Sequence, residues 1–315
     1  MVEHNSTNSN TSSLQLTRPA NIRLLVIDID GTLLNPEGEI ASQTLASVQA
    51  AKEAGIVVTL ATARRYCNTA PIADELGIDC PLILCDGALI VQHPQAQVLH
   101  THPLTAAVAQ QAVDIMASYE HDVQPVVHPN LGLIEEVWTG PAERDNLWIE
   151  AYILAYPDRV YRMPYAELCT GHPDPLRVVA FASEESIQAL KPAISTLDCS
   201  WNAIKRGNYG CAEMAVMAPD CSKASGLIAL ARTLNIPLSE VMAIGDNNND
   251  IPMLQAAGWG VAMGQAPAAV KEVAQAVTAS NAEHGAALAI ERYVLGAARR
   301  AAHTASNSRN RTTCL

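Results

Sequence analysis

The segment Leu24-Leu25-Val26-Ile27-Asp28-Ile29-Asp30-Gly31-Thr32-Leu33-Leu34 ends an apolar run in two carboxylates, where a buried strand should carry no charge. A lone buried carboxylate costs several kcal/mol by rough estimate unless it is paired, hydrogen-bonded or metal-bound, so two together imply a compensating cation. A strand's period of two sends Asp28 and Asp30 to one side and Ile29 to the other. Gly31 permits a tight turn that leaves both at the strand's C-terminal lip. Asp-Gly is also an ordinary turn dipeptide, which accounts for Asp30 but not for Asp28.

With 315 residues, 49% of them hydrophobic, the chain can bury a large core in one large or two moderate domains. Its formal charge of -12 disfavours nonspecific binding to nucleic acid or an anionic membrane, so an anionic substrate needs locally placed positive charge. Eight cysteines without a CxxC pair indicate neither a zinc site nor a disulfide scaffold and fit a reducing, cytoplasmic compartment. No charge-free run of eighteen apolar residues suggests a membrane helix. The polar stretch 1–19 and the basic stretch 296–315 read as disordered tails.

After the first strand, Ser42 is expected to cap a helix that runs through Ala54 and stops at Gly55. A strand 56–61, the turn Thr62-Ala63-Arg64, a helix through about Leu76 and a strand 81–85 complete a βαβαβ order. The order predicts an α/β fold with a doubly wound parallel sheet. Its alternation returns late: helix 222–234, strand 241–245, helix 250–257 and strand 259–262. Residues 20–88 and 219–295 therefore read as one core. The stretch 89–218, with short strands near 123–127, 178–181 and 211–216 and helices near 105–119 and 184–197, reads as an inserted α+β domain. Ligands of open α/β sheets bind at the carboxyl ends of the strands, so an insertion leaving the third strand overhangs the site.

A second apolar strand, Val241-Met242-Ala243-Ile244, runs into Gly245-Asp246-Asn247-Asn248-Asn249-Asp250. A calcium loop fails here, because its glycine lies among its acids rather than before them. Lys223 opens a helix and can reach over the sheet edge. Together these groups suit phosphoryl transfer: Asp28 and Asp246 can hold magnesium, while Thr62 and Lys223 can bind phosphate oxygens.

Asp-Ile-Asp-Gly-Thr, Thr-Ala-Arg, a lysine opening a helix, and Gly-Asp-Asn-Asn-Asn-Asp occur in that order across residues 20–293. In this the chain resembles the haloacid dehalogenase superfamily of phosphatases, in its Cof-like branch with an inserted cap. The resemblance implies a magnesium-dependent phosphatase acting on a small phosphate monoester, such as a sugar phosphate or related metabolite. Asp28 matches the nucleophile and metal ligand. Asp30 matches the general acid, then base, and a metal ligand through its backbone carbonyl. Asp246 matches the side-chain metal ligand, and Asp250 a carboxylate that orients Lys223 or a water at the metal. Gly31, Thr62, Ala63, Arg64, Asp86, Gly87, Lys223 and Asn249 fall where the resemblance puts phosphate or substrate contacts.

Three positions depart from that pattern. Ala63 replaces a usual glycine, Ala224 another, and Asp86 stands where relatives tend to carry asparagine. An ionised carboxylate cannot donate as an amide does, so Asp86 bears on substrate choice. His128, Trp138, His172, Asp174 and Arg177 are the polar cap positions from which specificity can come. A phosphomutase of the same superfamily and a non-catalytic binding protein on this fold are the competing readings. Oligomeric state is not legible.

Overall fold

The computed structural model describes residues 21–155, 159–205, 207 and 209–296. The stretches 1–19 and 296–315, read above as tails, lie outside the described residues except for Gly296. The first run is β1 (Leu24–Ile27), α1 (Ser42–Glu53), β2 (Val57–Leu60), α2 (Tyr66–Glu75) and β3 (Pro81–Leu84), followed by β4 (Leu89–Gln92) and β5 (Gln97–Thr101). The insertion then holds α3 (Ala106–Ala117), β6 (Val123–His128), β7 (Val137–Thr139), α4 (Leu147–Ala155), β8 (Val160–Arg162), β9 (Arg177–Ala182), α5 (Glu184–Ile194), β10 (Ser200–Ile204) and β11 (Ala212–Met217). The chain returns with α6 (Lys223–Thr233), β12 (Val241–Gly245), α7 (Ile251–Ala256), β13 (Trp259–Ala262), α8 (Ala268–Val273) and β14 (Ala276–Val277), ending in helical turns over 285–295.

The expected parallel sheet is present, in the order β14-β13-β12-β1-β2, with every pairing parallel. Both faces are covered. Leu25 and Ile27 of β1 pack with Val48, Ala51 and Ile290 on one side, Leu24 and Val26 with Leu227, Leu230 and Leu254 on the other. That double burial is why β1 and β12 read as continuous apolar runs rather than alternating ones. Each fully buried leucine or isoleucine contributes about 1.5–3 kcal/mol by transfer.

β3 joins β2 through one parallel bridge, Ala61 to Ile83, and then pairs antiparallel with β4, which pairs with β5. Residues 89–101, expected to open the insertion, therefore extend the core side. Leu89 and Val91 pack into the core cluster, and the cap's own apolar cluster starts at Leu104. The cap sheet, β10-β11-β9-β6-β7-β8, is antiparallel except for β7 with β8. α3 and α5 cover one of its faces through Val113, Met116, Ile187 and Leu190.

Two local expectations are corrected. Ala41, not Ser42, is the N-cap of α1, and no side chain caps that end. β1 stops at Ile27, because residues 29–33 coil into a wide turn in which Leu33 N donates to Asp28 O and Leu34 N to Ile29 O. Asp28 and Asp30 still reach the same cavity, but through this turn, with Gly31 at φ 81°, rather than through strand alternation.

Candidate active site

Four strand ends converge. Asp28 follows β1, Thr62 lies just past β2, Asp86 past β3 and Asp246 directly after β12, all on the carboxyl side of the parallel sheet. The capping box of Ser222 and Ser225 starts α6 so that Lys223 is its first residue. A cation at a helix N-terminus opposes the helix dipole. Two carboxylates offset that: Lys223 Nζ donates to Asp28 Oδ1 at 2.6 Å and to Asp250 Oδ1 at 2.7 Å, with all three side chains buried. The other Asp250 oxygen accepts the backbone N–H groups of Asp246 and Asn247, both at 3.0 Å, which folds the loop under the strand end.

Carboxylate oxygens of Asp28, Asp246 and Asp250 lie within 4.8 Å of one another. Three carboxylates against one ammonium leave the cluster short of positive charge. Burial, and then repulsion from Asp250, holds the Asp28 carboxyl well above the usual carboxylate range against the pull of Lys223. Asp246 is pushed up to about 6 by the same two causes. Lys223 goes the opposite way to most buried lysines: burial acts to lower it, but Asp250 and Asp28 outweigh burial and raise it. Such a donor set, oxygen-only and electron-rich, suits a hard divalent cation such as magnesium.

The remaining core groups are pinned. Arg64 grips Asp30 with both arms, Nε to Oδ2 at 2.8 Å and Nη2 to Oδ1 at 2.6 Å, so its fork is spent within the protein rather than left open to an anion. Thr62 Oγ1 accepts the Arg64 N–H at 3.1 Å, leaving its hydroxyl hydrogen to donate. Thr32 Oγ1 and Gln265 Nε2 donate to Asp246 at 3.3 and 3.5 Å, and Gln265 also holds Gly31 O. Neither Thr32 nor Gln265 is assigned a part by the sequence, and Gln265 lies in a stretch with no motif.

Asp86 turns out to be a cross-domain contact. Its Oδ2 accepts Arg177 Nη1 from β9 at 3.0 Å, and its Oδ1 accepts Asn249 Nδ2 at 3.0 Å. Arg177 also donates to Ala63 O at 2.7 Å and to His128 Nδ1 at 3.0 Å. Asp86 and Asn249, expected at phosphate or substrate, both line the cavity and are bonded to each other, with Asp86 also bonded to the cap. Gly87 is outside the cavity lining. Its part is steric: at φ +96° it packs so tightly on α6 that a Cβ would fall 2.0 Å from Ser222 O.

Burial and the neighbouring Arg177 and Arg65 hold His128 well below its ordinary value, so it is neutral. With Nδ1 accepting from Arg177, its proton sits on Nε2, 2.8 Å from the Tyr152 hydroxyl. Of the five polar cap candidates, His128 and Arg177 line the cavity. Trp138 and His172 instead pack on each other with ring centroids 4.7 Å apart, and Asp174 accepts the Ala106 N–H at the start of α3. Tyr152, Phe181, Tyr209 and Glu213, which the sequence reading does not single out, complete the cap wall of a cavity of about 300 Å³.

A parallel sheet that gathers paired carboxylates and a lysine at its strand ends, beneath an α+β insertion, defines a class: the haloacid dehalogenase-type hydrolases. The family model for haloacid dehalogenase-like hydrolases matches residues 25–290, and the chain belongs to this family, in its Cof-like branch, as a phosphatase. It is 30% identical over 275 residues to the 5-amino-6-(5-phospho-D-ribitylamino)uracil phosphatase YitU of Bacillus subtilis (strain 168), covering 86% of this chain and 97% of that protein. It is 28% identical over 271 residues to the pyridoxal phosphate phosphatase YbhA of Escherichia coli (strain K12), covering 82% and 94%. A solved haloacid dehalogenase-like hydrolase from B. subtilis superposes with a TM-score of 0.71 at 27% identity, over 86% of this chain and 99% of that one.

Proposed function

We propose that the protein is a magnesium-dependent phosphatase that hydrolyses a small phosphate monoester through an aspartyl phosphate on Asp28. The observation that carries this reading is the buried Lys223 ammonium bridging Asp28 and Asp250 beside Asp246. In the first step an Asp28 oxygen attacks phosphorus and the bond to the leaving oxygen breaks, with Asp30 protonating that oxygen. In the second, water attacks the aspartyl phosphate while Asp30 takes its proton, and inorganic phosphate leaves with Asp28 restored. Thr62 and Lys223 hold the phosphate oxygens. Asp28, Asp246 and the Asp30 carbonyl would hold magnesium, which would supply the positive charge that lets an anionic carboxylate approach an anionic phosphate.

Asp30 is gripped by Arg64 here, so its proton-transfer role has the carboxyl turn out of that fork toward the leaving oxygen. The two named relatives act on phosphates of a uracil derivative and of pyridoxal, which supports a small phosphorylated metabolite for this chain. Free thiols at all seven described cysteines are consistent with a cytoplasmic setting.

Phosphate release is to be screened over sugar phosphates, pyridoxal phosphate, phosphoglycolate and nucleotides, with and without magnesium. Magnesium-dependent release is expected, and Asp28→Asn should lower it by about 10³-fold or more with folding intact. No release from any ester by folded protein would sink the phosphatase reading. Isomerised sugar phosphate with little free phosphate would favour a mutase.

A further inference from the structure

The cap wall of the cavity is built by strand alternation. In the register of β9, β10 and β11, Glu213 stands opposite Phe181 and Ile204, and Ala215 opposite Val179 and Asn202. Residues two apart share a face, so these six side chains form one patch, and all six line the cavity. The intervening Val178, Ala180, Met214 and Val216 are fully buried in the opposite face, among the residues of α3 and α5.

Rings dominate that wall. Asn146 caps α4 by accepting Trp148 and Ile149 N–H groups and ties it to β9 through Phe181 O, which sets Tyr152 against Phe181 at 4.9 Å between centroids. Tyr209 stands edge-on to both, 5.0 Å from Tyr152 and 5.7 Å from Phe181. The chain has four Trp, eight Tyr and a single Phe, so placing three of them on one cavity is a strong local enrichment. Such walls receive flat rings by offset or edge-to-face contact.

Glu213 is the exception on the patch. Among the described residues its buried Oε1 has no hydrogen-bond partner, and it lies against Gly207, where a Cβ would fall 1.7 Å from that oxygen. Burial first, with Asp86 and Asp30 adding and Arg177 opposing, pushes its carboxyl up to about 7. A buried carboxyl oxygen kept without a partner costs free energy in the empty protein. A ligand that brings a donor removes that cost.

Resting on the phosphatase reading above, we propose that the cap wall is a subsite for a planar, nitrogen-bearing ring, held against Tyr152, Phe181 and Tyr209 with Glu213 accepting its N–H. The substrate class is then a phosphate monoester of a small aromatic or heteroaromatic alcohol, not a sugar phosphate. A cavity of about 300 Å³ sits at the small end of ligand sites and suits one such ring beside the phosphate. Sites built to pair a substrate N–H reject the analogue that lacks it far more strongly than apolar pockets reject a missing methylene.

The test compares kcat/KM for benzyl phosphate, 3- and 4-aminobenzyl phosphate and glucose 6-phosphate. In the wild type the better aminobenzyl ester should exceed benzyl phosphate by about tenfold or more, and benzyl phosphate should exceed glucose 6-phosphate. Glu213→Leu should bring the aminobenzyl-to-benzyl ratio to within about twofold of one, and Tyr209→Leu should lower the benzyl-to-glucose ratio. Ratios taken within one sample do not depend on its folded fraction. An unchanged aminobenzyl preference in Glu213→Leu, or glucose 6-phosphate as the best of the four, overturns the subsite. Binding of the matching non-hydrolysable phosphonates gives the same ratios without turnover. Selective binding with no phosphate release therefore overturns the phosphatase reading while supporting the subsite, and unselective binding overturns the subsite.

Discussion

The two walls of the cavity treat charge in opposite ways. On the core wall Asp28 and Asp250 share Lys223, Asp30 is held by Arg64, and Asp86 accepts from Arg177 and Asn249. On the cap wall Glu213 keeps an oxygen that, among the described residues, has no partner. Asp28, Asp250 and Asp86 have their cationic partners before any ligand arrives, as stabilising charge during phosphoryl transfer requires, whereas Asp30 leaves Arg64 in the proposed proton transfer. The cap wall is left for a ligand to complete, which is what discrimination requires. In the reading proposed above, reaction and selectivity are separated onto two sheets.

The largest effect expected from this contrast is at Lys223. Lys223→Met leaves Asp28 and Asp250 buried side by side without their shared cation, and breaking a buried pair this way costs about 3–5 kcal/mol. Denaturant midpoints should show that loss, and phosphate release should fall to background. A loss below about 1 kcal/mol would break the contrast, because the pairs would then be worth no more than exposed ones.

Glu213→Gln should act with the opposite sign. The folded carboxyl sits at about 7 against an ordinary value of 4.5, so between those pH values the folded state holds a proton that the unfolded chain has lost. Stability from this group therefore falls as the pH rises from about 4.5 to about 7 and stays low above that. Arg177, Asp86 and Asp30 are the charged groups acting on it, beyond burial itself. Removing the ionisable group should stabilise the protein at pH 8 by on the order of 1–3 kcal/mol and leave it near wild type at pH 4.5. The difference between the two stability-pH profiles isolates this residue from the core carboxylates. A destabilised Glu213→Gln at pH 8 would mean that the cap wall, too, is paired.

How far each wall was legible follows from the range of its contacts. The groups of the core wall sit within a few residues of apolar strands, and β12 and β13 fall where the hydrophobic runs end, so Asp28, Asp246 and Lys223 can be read from local pattern. Asp86 could be seen as unusual but not explained, because its partner Arg177 lies 91 residues away across the insertion. Tyr152 and Tyr209 belong to a helix and a loop that meet only through the antiparallel register of the cap. Glu213 is different. It interrupts the apolar run 211–216 much as Asp28 interrupts 24–29, and the energetic argument applied to the one applies to the other; without a motif beside it, the signal passed unread.

The smallest of these effects sharpens the contrast further, because it concerns charge that neither wall supplies. The carboxylates of Asp28, Asp246 and Asp250 face one ammonium, and burial with mutual repulsion has already pushed Asp246 up to about 6. A cation that binds only the folded protein stabilises it by about 1.4 kcal/mol at ten times its Kd, a rise of a few °C in Tm. Magnesium chloride should produce that rise over sodium chloride of matched ionic strength, and a chelator should reverse it. No rise would mean that Lys223 alone balances the cluster. Because the cation answers the core wall only, the same increment is expected in Glu213→Gln; an increment that changes there would show the two walls to be coupled.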